Sequence, residues 1–123
     1  MKSDICILVV EDEITLQEVY KLVLTAGGYH VVTASNGIEG LAKLKALRPN
    51  LILLDIFMPK MDGREFLRNV DLDEYPDTKV IVYSNLSDKQ TQHEMRELGA
   101  HDFIVKSSMT PSDLLAVVAQ HLA

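Results

Sequence analysis

The chain has 123 residues, 47% hydrophobic and 24% charged, with 12 basic and 18 acidic side chains and a net charge of −6. That length supports one domain, read as residues 1–123, with a core that needs neither structural metal nor a disulfide, and the single cysteine rules out an internal one. The acidic balance excludes nonspecific nucleic-acid or anionic-membrane binding; no apolar run approaches the roughly 20 residues of a membrane span, and no signal peptide precedes the first strand, so a cytoplasmic protein is expected.

The first apolar run, Ile5-Cys-Ile-Leu-Val-Val10, predicts a strand buried on both faces, with Cys6 as a small buried hydrophobe. Glu11-Asp12-Glu13 follows it. Leu16, Val19, Tyr20 and Val23 then repeat at i, i+3, i+4 and i+7, predicting an amphipathic helix that the Gly27-Gly28 pair ends. His30-Val-Val-Thr33 reads as an edge strand and Gly37 to Leu47 as a second helix, stopped near Pro49. Leu51-Ile-Leu-Leu54 is a third strand closed by Asp55, with a Pro-anchored loop beyond it and a third helix over Gly63 to Leu72.

Val80-Ile-Val-Tyr83 predicts a fourth strand ending at Ser84. A capping box, Ser87-x-x-Gln90, opens a fourth helix that stops at Gly99. Asp102-Phe-Ile-Val105 is the fifth strand, ending at Lys106, and Thr110-Pro111-Ser112-Asp113 is a capped, Pro-first start for a fifth helix. On that helix Leu114, Leu115, Val118 and Leu122 form the core-facing stripe, while Val117 and Ala119 leave an apolar outer edge. His93, His101 and His121 read as solvated, and Met61 and Met109 as loop hydrophobes. Five strand–helix units in series imply an α/β domain of the flavodoxin-like, doubly wound kind: a parallel five-stranded sheet in the order 2-1-3-4-5, with helices on both faces.

That order places strands 1 and 3 side by side and brings Glu11, Asp12 and Asp55 to one crevice at the strand C-termini. Carboxylates about 5 Å apart repel by roughly 3 kcal/mol per pair at an effective dielectric near 20. A hard divalent ion relieves this, and an oxygen-only set suits Mg²⁺ or Mn²⁺. The plainer reading of Glu11-Asp12-Glu13 alone is a solvated loop and helix start, and Glu13 is read that way. Ser84 and Lys106, ordinary residues in isolation, bring a hydroxyl and an ammonium to the same edge. Together the groups make the set that phosphoryl transfer requires, with Asp55 as the nucleophile.

The motifs Val9-Val-Glu-Asp-Glu13, Leu54-Asp-Ile-Phe-Met-Pro-Lys-Met-Asp-Gly63, Tyr83-Ser84, Gly99-Ala100 and Phe103-Ile-Val-Lys106 resemble the response-regulator receiver domains of two-component signalling, over essentially the whole chain. The resemblance implies that Asp55 accepts a phosphoryl group from the phosphohistidine of a histidine kinase or phosphotransfer protein. It implies Mg²⁺ held by Asp12 and Asp55, by Glu11 through water, and by the Phe57 backbone carbonyl. Lys106 pairs with the phosphoryl group, Ser84 swings inward to it, and Phe103 follows into the vacated space, unless Phe103 is simply a permanent core aromatic. Output then passes through the face of helix 4, strand 5 and helix 5 to a protein partner or to an effector domain outside this chain. The domain catalyses only its own phosphorylation and dephosphorylation and is not expected to be an enzyme otherwise.

Three features depart from the family pattern. Ser107 stands where a cis proline usually follows the lysine, and the site is expected to enforce a cis Lys106–Ser107 bond despite a cost of roughly 2.5–4 kcal/mol. Asn85 replaces a small residue, either narrowing access or adding a polar contact. Phe57 and Leu86 occupy rim positions that tune dephosphorylation, and their apolar character predicts a long-lived phosphoryl group. The fifth helix carries no Lys or Arg, which disfavours charge-paired dimers through it. Other readings are a degenerate receiver acting as a phosphorylation-independent binding module, and an aspartyl-phosphate phosphatase. The latter needs a second aspartate where Phe57 stands. A flavin- or nucleotide-binding domain would need a phosphate loop where Glu11-Asp12-Glu13 lies.

Overall fold

The computed structural model describes residues 4–86 and 88–123. Strands β1 (Cys6–Val10), β2 (His30–Ala34), β3 (Leu51–Leu54), β4 (Lys79–Ser84) and β5 (Asp102–Val105) alternate with helices α1 (Ile14–Ala26), α2 (Gly37–Leu47), α3 (Gly63–Arg68), α4 (Lys89–Glu97) and α5 (Pro111–Leu122). The strands form one parallel sheet in the order β2-β1-β3-β4-β5, as expected.

Alternation along the buried strands divides the interior into two cores. Leu8, Val10, Ile52, Leu54, Val80 and Val82 face α2, α3 and α4, where they meet Leu44, Phe66, Leu67 and Met95. Ile7, Val9, Leu51, Leu53, Ile81, Tyr83 and Ile104 face α1 and α5, where they meet Tyr20, Leu24, Leu114 and Val118. Each fully buried large side chain contributes roughly 1.5–3 kcal/mol through the apolar surface it removes from water. Among the described residues no helix is long and apolar enough to cross a membrane.

Several local expectations are corrected. Of the apolar series on α1, Tyr20 is buried and Leu16 and Val19 pack against the core as expected, but Gln17 and Leu24 are buried there too. Gln17 is buried because its amide donates to the Glu11 carbonyl and to Ser35 Oγ at 3.1 Å, so its polarity is satisfied inside. Helix α3 stops at Arg68 instead of Leu72: Asn69 Nδ2 donates to the Glu65 carbonyl at 2.7 Å, and Asp71 caps a separate 3₁₀ turn over Leu72–Glu74. The capping box placed on Ser87 falls on a residue outside the described ones; Asp88 caps α4, accepting from Thr91 N at 3.0 Å and Thr91 Oγ1 at 2.7 Å. The capped, Pro-first start expected at Thr110 is formed, and Asp113 completes it as a capping box.

Cys6 is only half-buried, which still pushes its thiol pKa up. Val117 packs against the α1–α5 core instead of forming an outer edge, and Met61 and Met109 also lie against the cores. His101 and His121 are not freely solvated: His101 Nδ1 accepts from Val80 N at 2.9 Å, and His121 pairs with Asp102 at 2.8 Å.

Gly63 ties the loop after Asp55 to the start of α3. Its N–H donates to the Ile56 carbonyl at 2.7 Å, and a Cβ there would meet the Asp55 carbonyl oxygen and lie 2.9 Å from Ile56 Cα. Both obstacles are backbone, so the loop itself would have to move. Gly63→Ala is expected to destabilise the domain by about 1–3 kcal/mol, read as a lower midpoint in urea unfolding.

Candidate functional site

The parallel ladder continues one residue beyond the paired strands. Val10 pairs with Leu54, Asp55 N donates to the Val10 carbonyl at 3.0 Å, and Glu11 N donates to the Ala34 carbonyl at 2.9 Å. These bonds place Glu11 and Asp55 next to each other at the carboxyl edge of the sheet. Carboxylate oxygens of Glu11, Asp12 and Asp55 all lie within 4.8 Å of one another. Glu11 and Asp55 are buried, at 3% and 7% exposure, and Asp12 faces outward.

From the end of β5, Lys106 reaches across to this cluster. Its Nζ is 2.7 Å from Glu11 Oε1 and 3.2 Å from Asp55 Oδ2. Burial disfavours the Lys106 ammonium, but the hydrogen bond to Glu11 and the charges of Asp55 and Glu11 outweigh it, and its pKa lies above the ordinary lysine range. Burial is also the largest influence on Glu11 and raises its pKa; Lys106 opposes that and Asp55 adds to it. Asp12 is pushed up by partial burial and then by its hydrogen bond with Glu11 and the charge there. With no His or Cys among them, Glu11, Asp12 and Asp55 form an oxygen-only donor set of the kind that suits a hard divalent cation.

Ser84, at the end of β4, is 1% exposed, and its Oγ accepts from Leu86 N at 3.2 Å. Phe103 is half-buried against the α2–α4 core, neither a fully buried core aromatic nor a surface residue. Phe57 is 59% exposed at the rim, and Leu86 is half-buried.

The expected cis bond after Lys106 is absent: no cis peptide occurs among the described residues. The reason is local. Without proline the trans form is favoured by a few kcal/mol, and Ser107 also has an N–H, which donates to Asn85 Oδ1 at 2.9 Å. Asn85 and Ser107 therefore work together, as one polar strap between the β4–α4 and β5–α5 loops. Asn85 itself is exposed, so it supplies the polar contact.

Sequence reasoning missed the pair beneath the lysine. The Lys106 Nζ lies over the Tyr83 ring, 5.5 Å from its centroid, and Tyr20 OH donates to Tyr83 OH at 2.8 Å. An aromatic directly before the strand-end Ser84 was the available signal. Tyr20, Tyr83, Asn85, Lys106 and Ser107 also line a cleft of about 300 Å³ between α1 and the start of α5.

A parallel 2-1-3-4-5 sheet carrying three carboxylates and a lysine at its carboxyl edge defines a doubly wound α/β domain with an acidic crevice at its strand ends. The sequence profile of the response regulator receiver domain matches residues 7–119, and the chain belongs to this family. It is 38% identical over 110 residues to a probable transcriptional regulator, ycf27, of Cyanophora paradoxa, covering 89% of this chain and 45% of the relative. It is 38% identical over 102 residues to a probable C4-dicarboxylate response regulator, DctR, of Halalkalibacterium halodurans, covering 81% and 44%. The chain thus spans less than half the length of these relatives. The solved chemotaxis protein CheY4 of Vibrio cholerae superposes with a TM-score of 0.87 at 30% identity, covering 94% of this chain and 97% of that one.

The raised carboxyl pKa values set a pH dependence. Glu11 and Asp12 keep their protons to higher pH in the fold than in the unfolded chain, so the folded state binds more protons in that interval. Stability therefore falls as pH rises from the ordinary carboxylate range through the raised values. Lys106 acts in the opposite window: its contribution is complete below the ordinary lysine range and is lost as pH rises through its raised value. Glu11→Gln should flatten the decline in urea midpoint measured in EDTA as pH rises above the ordinary carboxylate range, and Lys106→Met should steepen it.

Proposed function

We propose that residues 1–123 form a phosphorylation-driven signalling switch in which Asp55 is the phosphoacceptor. The observation that carries this reading is the convergence of Lys106 Nζ on Asp55 Oδ2 at 3.2 Å within an acidic cluster. A carboxylate oxygen of Asp55 attacks the phosphorus of a phosphohistidine on a histidine kinase or phosphotransfer protein. The P–N bond breaks, the imidazole leaves with the electron pair, and an acyl phosphate forms on Asp55.

Glu11, Asp12, Asp55 and the Phe57 backbone carbonyl would hold Mg²⁺, or Mn²⁺, whose charge would neutralise the phosphoryl oxygens. Lys106 stands ready to move from the Asp55 carboxylate to the incoming phosphoryl group, a charge-assisted contact at the point where negative charge grows. Ser84 exchanges its bond from Leu86 N for donation to a phosphoryl oxygen, and Phe103, only half-buried, follows into the space. The change then passes through α4, β5 and α5 to a protein partner, or to an effector domain such as the longer relatives have room for. Glu94 of α4 pairs with Arg64 at 2.7 Å and Arg68 at 3.5 Å on α3, so movement of α4 has a defined ionic contact to break or keep.

Incubation with acetyl phosphate and Mg²⁺ is expected to add one phosphate by intact mass, and Asp55→Asn is expected to abolish the gain. Mg²⁺ at 100 times its dissociation constant should stabilise the domain by about 2.7 kcal/mol in thermal unfolding, and Asp12→Asn should remove most of that. A protein that takes no phosphate yet captures its partner equally with and without donor would be a phosphorylation-independent binding module instead.

The rim makes a separate prediction. Phe57 and Leu86 present apolar groups where an attacking water must be oriented, so the acyl phosphate should be long-lived. The double substitution Phe57→Asn with Leu86→Glu is expected to shorten its half-life severalfold, measured as loss of the phosphoprotein mass after donor removal.

A further inference from the structure

We propose that Tyr83, braced by Tyr20, is a positioning residue for Lys106, its ring holding the ammonium against the acceptor carboxylate. The proposal rests on the phosphoacceptor reading and adds to the site a pair of residues on its α1 side. A lysine ammonium has three protons on a flexible four-carbon stem. Glu11 at 2.7 Å and Asp55 at 3.2 Å take two directions, and the Tyr83 ring, with its centroid 5.5 Å away, covers a further side. That distance is inside the range of about 6 Å over which a ring face attracts a cation. The Lys106 side chain is only 16% exposed, so this attraction is weakly screened.

The platform is itself immobile. Tyr83 and Tyr20 are 5% and 4% exposed, their rings meet edge to face at 5.2 Å and 86°, and their hydroxyls are hydrogen-bonded at 2.8 Å. Consecutive strand residues point to opposite faces. On β4, Ser84 is thereby turned to one side of the sheet and Tyr83 to the other, so one strand end carries both the hydroxyl and the support of the lysine. The support also suits the Ser107 substitution, because the backbone after Lys106 lacks the stiff ring of a proline. When the phosphoryl group arrives, Lys106 exchanges a carboxylate oxygen for a phosphoryl oxygen while the ring stays in place. A pair that only filled the core would be insensitive to where the ammonium lies.

Two measurements test this. In isotopically labelled, metal-free protein, NOEs between the Lys106 ε-methylene and the Tyr83 ring are expected, with an upfield ring-current shift of the ε protons. Both should persist in Tyr83→Phe, and the upfield shift should vanish in Tyr83→Leu; their absence from the wild-type protein overturns the proposal without any variant. The second is phosphorylation by acetyl phosphate with Mg²⁺, in which the donor P–O bond breaks, acetate leaves with the electron pair and an Asp55 oxygen bonds to phosphorus. Tyr83→Leu should lower the limiting rate about tenfold while leaving the half-saturating donor concentration in place, and Tyr83→Phe should recover most of that loss. Tyr83→Met provides the same test if Tyr83→Leu fails to fold. A wild-type rate in either ring-less variant overturns the proposal alone, whereas no phosphate gain in the wild-type protein overturns the reading beneath it.

Discussion

The Lys106 ammonium is the interaction on which the rest of the site depends. Two carboxylates, Glu11 and Asp55, are nearly removed from water at the end of an apolar sheet, and Asp12 lies beside them. Without a cation, two desolvated carboxylates so close together would repel each other and strain the loops that carry them. Lys106 meets both at hydrogen-bonding or near hydrogen-bonding distance and offsets that cost, although Glu11 still resists ionisation. The same contact leaves the Asp55 carboxylate paired to a cation 3.2 Å away at the carboxyl edge of the sheet.

The sheet is what delivers these groups. Parallel strands buried on both faces must end together at one edge, so every residue just past a strand is presented to the same crevice. Glu11, Asp55, Ser84 and Lys106 each follow or close a strand, and Asp12 follows Glu11. The two cores on either side differ in what they attach to that edge: one carries the half-buried Phe103 and the face toward α4, the other carries Tyr83, Tyr20 and α1. The groups at that edge are therefore connected to two sides of the domain by different contacts.

The departures from the family pattern make physical sense as pairs. Ser107 has an amide hydrogen that proline would lack, and Asn85 has an oxygen that a small residue would lack; the two meet at 2.9 Å. The trans bond after Lys106 follows from the same substitution. Tyr20 and Tyr83 likewise share one hydrogen bond, Tyr20 donating and Tyr83 accepting, which lets two phenols lie buried beside charged groups.

Strand runs such as Ile5–Val10 and Leu51–Leu54, the residues that close them, and the capped start at Thr110 carry their own signals, because burial on two faces and helix capping are local requirements. By itself the sequence determined the five-unit α/β plan, the sheet order and the identity of the edge residues. Other features needed partners distant in the chain. The inward turn of Gln17, the early stop of α3, the hydrogen bonds of His101 and His121 and the Tyr83 ring beside Lys106 each depend on which side chains arrive from other elements. Only the tertiary structure decided them, because periodicity reports which face of an element is apolar but not which polar group across the core is there to meet it.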